Sequence, residues 1–208
     1  MCSLLALLYA ELRSLRTFQE FIKRILQRYF LRDNLKLRVG IQQNILLNGK
    51  FQGVIFMIEE HEVLAAQKAW GEGIVRIGKV FLDDGDFRSA AEEHINAFYN
   101  YQEGTVLFKP TLVSQKQFRT DFDGALSYFV GGNSDYPEDH GFAIKPWSDV
   151  NWENIGTKII GNMAIAMGNY FFTDTEGNEA KVEYTFGYKL IDGNLRIDLH
   201  HSSFPFNP

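Results

Sequence analysis

Cysteine is almost absent: Cys2 is the only one among 208 residues. A lone thiol closes no internal disulfide and supplies no Cys-rich zinc site. Such usage fits a reducing compartment, and the cytoplasm is the expected setting. Long apolar runs are also missing, since none approaches the roughly 18 residues that a membrane span needs. Leu4 to Ala10 is apolar, but no positive stretch precedes it and Glu11 and Arg13 follow at once, which is not the pattern of a secretory leader. Several catalytic signatures are absent as well. There is no Gly-x-Gly-x-x-Gly after a strand, no Gly-x-x-x-x-Gly-Lys closed by Ser or Thr, no Gly-x-Ser-x-Gly elbow and no His-Glu-x-x-His helix. Positive charge is scarce in most of the chain: residues 57–208 hold 12 Lys/Arg against 23 Asp/Glu, a net −11. An acidic body repels phosphates, which argues against a nucleic acid partner.

What is present is apolar and aromatic. Hydrophobic residues make up 45% of the chain, enough for a real core, and 18 Phe with 9 Tyr favour a sheet covered by large side chains. Residues 1–56 read differently from the rest, with 9 Lys/Arg against 3 Asp/Glu, a net +6. Leu5, Leu8, Leu12, Leu15, Phe18, Phe21 and Ile22 recur at helical spacing, with Arg13, Arg16, Lys23, Arg24 and Arg28 between them. Three readings stand for this basic helical extension: a surface or partner helix, a helix packed on its own domain, or a segment outside a working protein that starts at Met57. The expected organisation is an extension over 1–56 and a single domain over 57–208.

In that domain Val63, Ala66, Trp70, Ile74, Ile77 and Phe81 mark one face of a long helix. Asp83-Asp84-Gly85-Asp86 breaks it, and Asp86 is a candidate N-cap for a second helix carrying Phe87, Ala91, Ile95 and Phe98. His94 on that helix reads as a satisfied core-edge histidine. Thr105 to Phe108 reads as a short strand ended by Lys109-Pro110, and Phe118 to Val130 as a third helix closed by Gly131. Ser134 to Gly141 is a polar loop, a candidate lid. Strands follow: Phe142 to Trp147, Gly156 to Ile160 leading into Met163 to Phe172, Val182 to Leu190, and a last one delivered by the Asp192-Gly193 turn. Ala164, Ala166 and Gly168 suggest a bend. Helices first and antiparallel strands afterwards predict an α+β fold, a curved sheet wrapped around helices.

The last strand carries the sharpest chemistry. Leu195, Ile197 and Leu199 point one way, and strict alternation continues that apolar face with His201 and Ser203, leaving His200 and Ser202 on the wetter one. A polar pair on an apolar face is costly unless bonded, so it is either a strand end meeting nearby backbone or the polar floor of a pocket. Thr111, after Pro110, is open in the same way between capping the next turn and serving a site. Tyr128 is open between a core ring and a functional hydroxyl. A zinc site would need His200 or His201 together with His94 or His140 and a carboxylate, because adjacent strand histidines point apart.

Asp198-Leu-His-His-Ser-Ser-Phe-Pro205, with Phe108-Lys-Pro-Thr111 and the Tyr128 helix, resembles the iota-class carbonic anhydrases, built on the nuclear-transport-factor-2-like cone and related to the calcium/calmodulin-dependent kinase association domain. The likeness covers about residues 60–208. It implies reversible hydration of carbon dioxide to bicarbonate and a proton. In some members the motif begins with three histidines; Leu199 stands where the first would be, which points to the metal-free type with no cofactor, zinc and manganese remaining open as alternatives. In that type a threonine, a tyrosine and a serine hold substrate, which the resemblance carries onto Thr111, Tyr128 and Ser203, with Ser203 preferred to Ser202 from the strand alternation. His201 is then the natural proton acceptor, and Ser202 and His200 support binding. A homodimer is the default for the cone by analogy. The competing reading is a non-catalytic association or ligand-binding module whose exposed sheet face, carrying Tyr184 and Tyr188, joins copies of the chain.

Overall fold

A computed structural model describes residues 41–47 and 50–208, with side chains from residue 57 onward. The basic segment around residues 5–28, and Cys2, lie outside the described residues. Two compact units divide the chain, residues 1–39 and 40–208. The second opens with a two-stranded antiparallel hairpin, β1 (Ile41–Leu47) and β2 (Lys50–Phe56). The boundary expected after residue 56 falls at the end of that hairpin.

Helix α1 (Glu60–Leu82) starts from a reciprocal cap, in which the Glu62 carboxylate accepts from the Glu59 N–H at 2.8 Å. Val63, Trp70, Ile74 and Ile77 of its expected face are fully buried. The chain reverses with Asp84 at φ 54°, and Asp86 caps α2 (Phe87–Phe98) by accepting from the Ser89 N–H. Strand β3 (Leu107–Lys109) follows, and then α3 (Phe122–Val130). This third helix begins four residues later than its periodicity predicts. Asp121 caps it by accepting from the Gly124 N–H, and Phe118, counted on its apolar stripe, is exposed in the preceding loop.

Four long strands complete the fold: β4 (Trp147–Ile160), β5 (Met163–Asp174), β6 (Glu179–Ile191) and β7 (Asn194–Ser203). Phe142 to Trp147, expected as a strand of its own, is instead the approach to β4. The sheet order is β3-β7-β6-β5-β4, antiparallel except for β3 beside β7. Helix α1 packs against both β4 and β7, which two other strands separate, so the sheet is curled around it. The α+β cone is therefore as expected.

The bend expected near Gly168 is a bulge. Ile155 is the extra residue of β4, and a side chain at Gly168 would run into the Glu153 carbonyl at 2.1 Å. A second bulge matters more. Tyr188 pairs with Ile197 but Gly187 pairs with Leu199, so Asp198 is an extra residue in β7. Its carboxylate accepts from the Asn100 side chain at 2.6 Å, and the Asn100 N–H donates to the Ile197 carbonyl. The segment after α2 thus pins the bulge in place.

Candidate active site

One inserted residue exchanges the two faces of β7 beyond it. Ile197 points inward, and after the bulge His200 and Ser202 do so as well, each 3% exposed. His201 is exposed instead. Ser203 is partly exposed and donates its hydroxyl to Glu183 at 3.2 Å. The expectation from strict alternation, His201 and Ser203 on the apolar side, is corrected: the alternation is real on each side of Asp198 but does not run through it. Leu199 also lies outward, against Gly187.

The inward pair sits in an aromatic cage. The His200 ring stacks on Phe108 at 4.5 Å and meets Phe186 at 4.1 Å and Trp70 at 5.7 Å. Phe108 is placed there by the parallel pairing of β3 with β7, which sets it opposite His200. Nδ1 of His200 lies 2.8 Å from the Tyr99 hydroxyl, and Nε2 lies 3.4 Å from that of Tyr170. Burial, aided by the neighbouring His201 and His94, holds this imidazole well below its usual range, so it is neutral.

Tyr170 is the junction. Its phenol, raised above the ordinary range by burial, lies near the side chains of Ser202 and Thr111. Thr111 follows Pro110, where β3 ends. Tyr128, on the buried flank of α3, lies near the backbone of Leu112 and Thr111, while burial raises its phenol. Thr111, Tyr128, His200 and Ser202 are therefore brought together, whereas His201 and Ser203 are not. Tyr170 escaped the reading of the sequence, although it shares a face with Ala164 and Ala166, whose small size leaves room above them.

A cavity of about 100 Å³ opens beside Thr111, walled by Phe142, Trp147, Phe172 and Val182. A second, of about 70 Å³, lies against Tyr128 and reaches His140. Leu112, Phe142 and Lys145 line both. A larger and more polar groove of about 440 Å³ runs between α1 and β4 and holds none of these residues.

Two loops are locked around the pocket. Glu138 accepts from the N–H groups of Ser114, Gln115 and Lys116 at 2.7, 3.0 and 2.8 Å, which pull its carboxyl down to about 2. Arg119, wholly buried, pairs with Asp139 at 2.7 Å, and Asp139 also accepts from the Ser127 hydroxyl. The candidate lid, Ser134 to Gly141, is thus tied to the loop that carries Thr111.

The model of the metal-independent carbonic anhydrase family matches residues 61–204. The chain belongs to that family. A metal-independent carbonic anhydrase of a Nostoc species is 47% identical over 153 residues, 72% of this chain and 75% of that protein. The crystal structure of a cyanobacterial iota-carbonic anhydrase complexed with bicarbonate is 45% identical, with a TM-score of 0.73, over 76% of this chain and 99% of that one. Further off, an NTF-2 like protein of unknown function from Shewanella oneidensis is 15% identical with a TM-score of 0.45, over 69% and 97% of the two chains. The carbonic anhydrase family and its metal-independent type agree with the resemblance carried by the last strand. Among the described residues no three His, Cys, Asp or Glu side chains cluster as ligands. His94 lies between α1 and α2, and its nitrogens have no partner among the described residues, so it is buried but not satisfied. Among the same residues no helix is long and apolar enough to cross a membrane.

Proposed function

We propose that residues 57–208 hydrate carbon dioxide reversibly at the inner end of β7, with Thr111, Tyr128, Tyr170, His200 and Ser202 as the site. The observation that carries this reading is the gathering of Thr111, Tyr170 and Ser202 around neutral His200, with Thr111 also lining a small apolar cavity. The family model spans nearly all of the proposed working unit. Bicarbonate, held in the cyanobacterial relative, is the product expected here.

Phe142, Trp147, Phe172 and Val182 offer carbon dioxide an apolar wall, and the hydroxyls orient a water toward its carbon. As the water oxygen bonds to carbon, a carbonyl electron pair moves onto oxygen and one proton leaves. Tyr128 and Tyr170, their phenols raised by burial, keep their protons at neutral pH. They act as donors to the forming anion rather than as bases. His200, held neutral, orients rather than stores a proton. The released proton leaves through the mouth, where exposed His140 lines the cavity against Tyr128 and takes the carrier role first given to His201. Stopped-flow hydration by the full chain tests this. Activity that survives chelation and falls in Tyr128→Phe supports it, while an undiminished rate in Tyr128→Phe and Ser202→Ala together refutes it.

We also propose a homodimer in the cytoplasm. Tyr184 and Tyr188, expected on an outer interface, are buried on the inner face. The outer face instead exposes Ile160, Met163, Ile165 and Met167, with Ile155 81% exposed at the β4 bulge. An apolar patch of this kind suits a self-complementary interface. Light scattering on Ile165→Glu should report a monomer if this face joins two copies, and an unchanged mass excludes it.

A further inference from the structure

A directed line of hydrogen bonds reaches the proposed site from the helical side of the core. It begins at Trp70 of α1, whose indole nitrogen lies 3.1 Å from the Tyr99 hydroxyl. An indole N–H donates and never accepts, so the Tyr99 oxygen must receive this bond. The Tyr99 hydroxyl then has its own hydrogen to place. Tyr99 is only 2% exposed, and the remaining described partner of its hydroxyl is His200 Nδ1, at 2.8 Å. Were Tyr99 to accept from His200 as well, its hydrogen would be buried with no acceptor, a costly arrangement. Nδ1 therefore accepts. In a neutral imidazole the single hydrogen then sits on Nε2, which faces the Tyr170 oxygen at 3.4 Å. With its oxygen receiving from His200 Nε2, the Tyr170 hydroxyl is left to turn its own hydrogen away from the ring.

We infer that Trp70 and Tyr99 are positioning residues that fix the tautomer of His200 and, through it, the direction in which Tyr170 donates. The inference rests on the reading of the inner end of β7 as the carbonic anhydrase site. The line orients and does not conduct, because it ends on an indole that cannot pass a proton. This gives a physical reason for a core that places Trp70, Tyr99, Tyr170 and His200 in edge and stacked contact with one another.

Nitrogen-15 NMR of the full chain with labelled histidine tests the inference directly. His200 is assigned by its loss in His200→Gln. The expected spectrum has an unprotonated Nδ1 and a directly bonded hydrogen on Nε2; a hydrogen on Nδ1 overturns the inference, whatever the activity. Tyr99→Phe removes the donor to Nδ1, so the tautomer should become mixed and kcat should fall about tenfold, the scale of one oriented hydrogen bond, with KM unchanged. Trp70→Phe frees Tyr99 to turn and should shift the tautomer by a smaller amount. Ser202→Ala separates the two levels. A loss in Ser202→Ala without any loss in Tyr99→Phe overturns the positioning role. No loss in Ser202→Ala contradicts the site itself, and the tautomer then still decides the hydrogen-bond direction.

Discussion

Strand β7 holds the same two residue types twice, one position apart. His200 and Ser202 are sealed inside the cone, while His201 is exposed and Ser203 reaches only an outer carboxylate. Composition does not separate the pairs; the Asp198 bulge does, and Asn100 holds the bulge. Buried, an imidazole is neutral and directed by its neighbours, and a hydroxyl joins a network; outside, the same groups face water. Which histidine faces the core is therefore decided about one hundred residues earlier in the chain, at the end of α2.

That contrast between inside and outside can be pressed. The largest effect is expected where the inside holds a charge pair. Arg119→Met leaves the Asp139 carboxylate buried and unpaired and should cost about 3–5 kcal/mol in urea melts. Arg76→Met breaks only the exposed pair with Glu93 and should cost less than about 1 kcal/mol. Equal losses would erase the distinction. Next come the histidines themselves. His200→Ala should lower carbon dioxide hydration by about 100-fold, the scale expected when the ring that orients the Tyr170 donor is lost. His201→Ala should stay within about twofold of the parent, since its ring is exposed on the outer face of β7, away from Tyr99 and Tyr170.

A smaller effect follows from pH. Burial holds His94 down at about 3, and His200 well below its usual range, while the unfolded chain titrates both near 6.5. On acidification the unfolded state takes up protons first. Stability is therefore full above about pH 6.5 and declines below it by about 1.4 kcal/mol per pH unit for each ring, reaching about pH 3 for His94. His94→Leu should flatten this acid limb by one proton in urea titrations, and an unchanged slope contradicts the neutral buried ring. The smallest effect is at the bulge. Asn100→Leu removes one hydrogen bond to Asp198 and should cost about 1 kcal/mol with a modest loss of activity.

Much of this was legible in the residues. The α1 stripe as far as Ile77, the Asp86 cap and the Asp192-Gly193 turn are local signals that the structure keeps, whereas Phe81 at the end of the stripe is exposed. The terminal motif pointed to the family. The inward face of β7 was not legible, because alternation assumes an uninterrupted strand and the bulge depends on a contact from Tyr99 and Asn100. Tyr170 stayed hidden for a related reason. Its place beside His200, Ser202 and Thr111 is set across the sheet, and no spacing within β5 announces that. The start of α3 moved because the Asp121 cap, together with the Arg119 lock, outweighs the periodicity that included Phe118.

Ser202 and Ser203 make the cleanest comparison, being the same side chain on adjacent residues. Hydration rates of Ser202→Ala and Ser203→Ala, measured side by side by stopped flow with melting curves to confirm folding, test the assignment directly. Both variants should stay folded, Ser202→Ala losing at least about tenfold in kcat and Ser203→Ala matching the parent. A fully active Ser202→Ala beside an impaired Ser203→Ala would contradict the inward site.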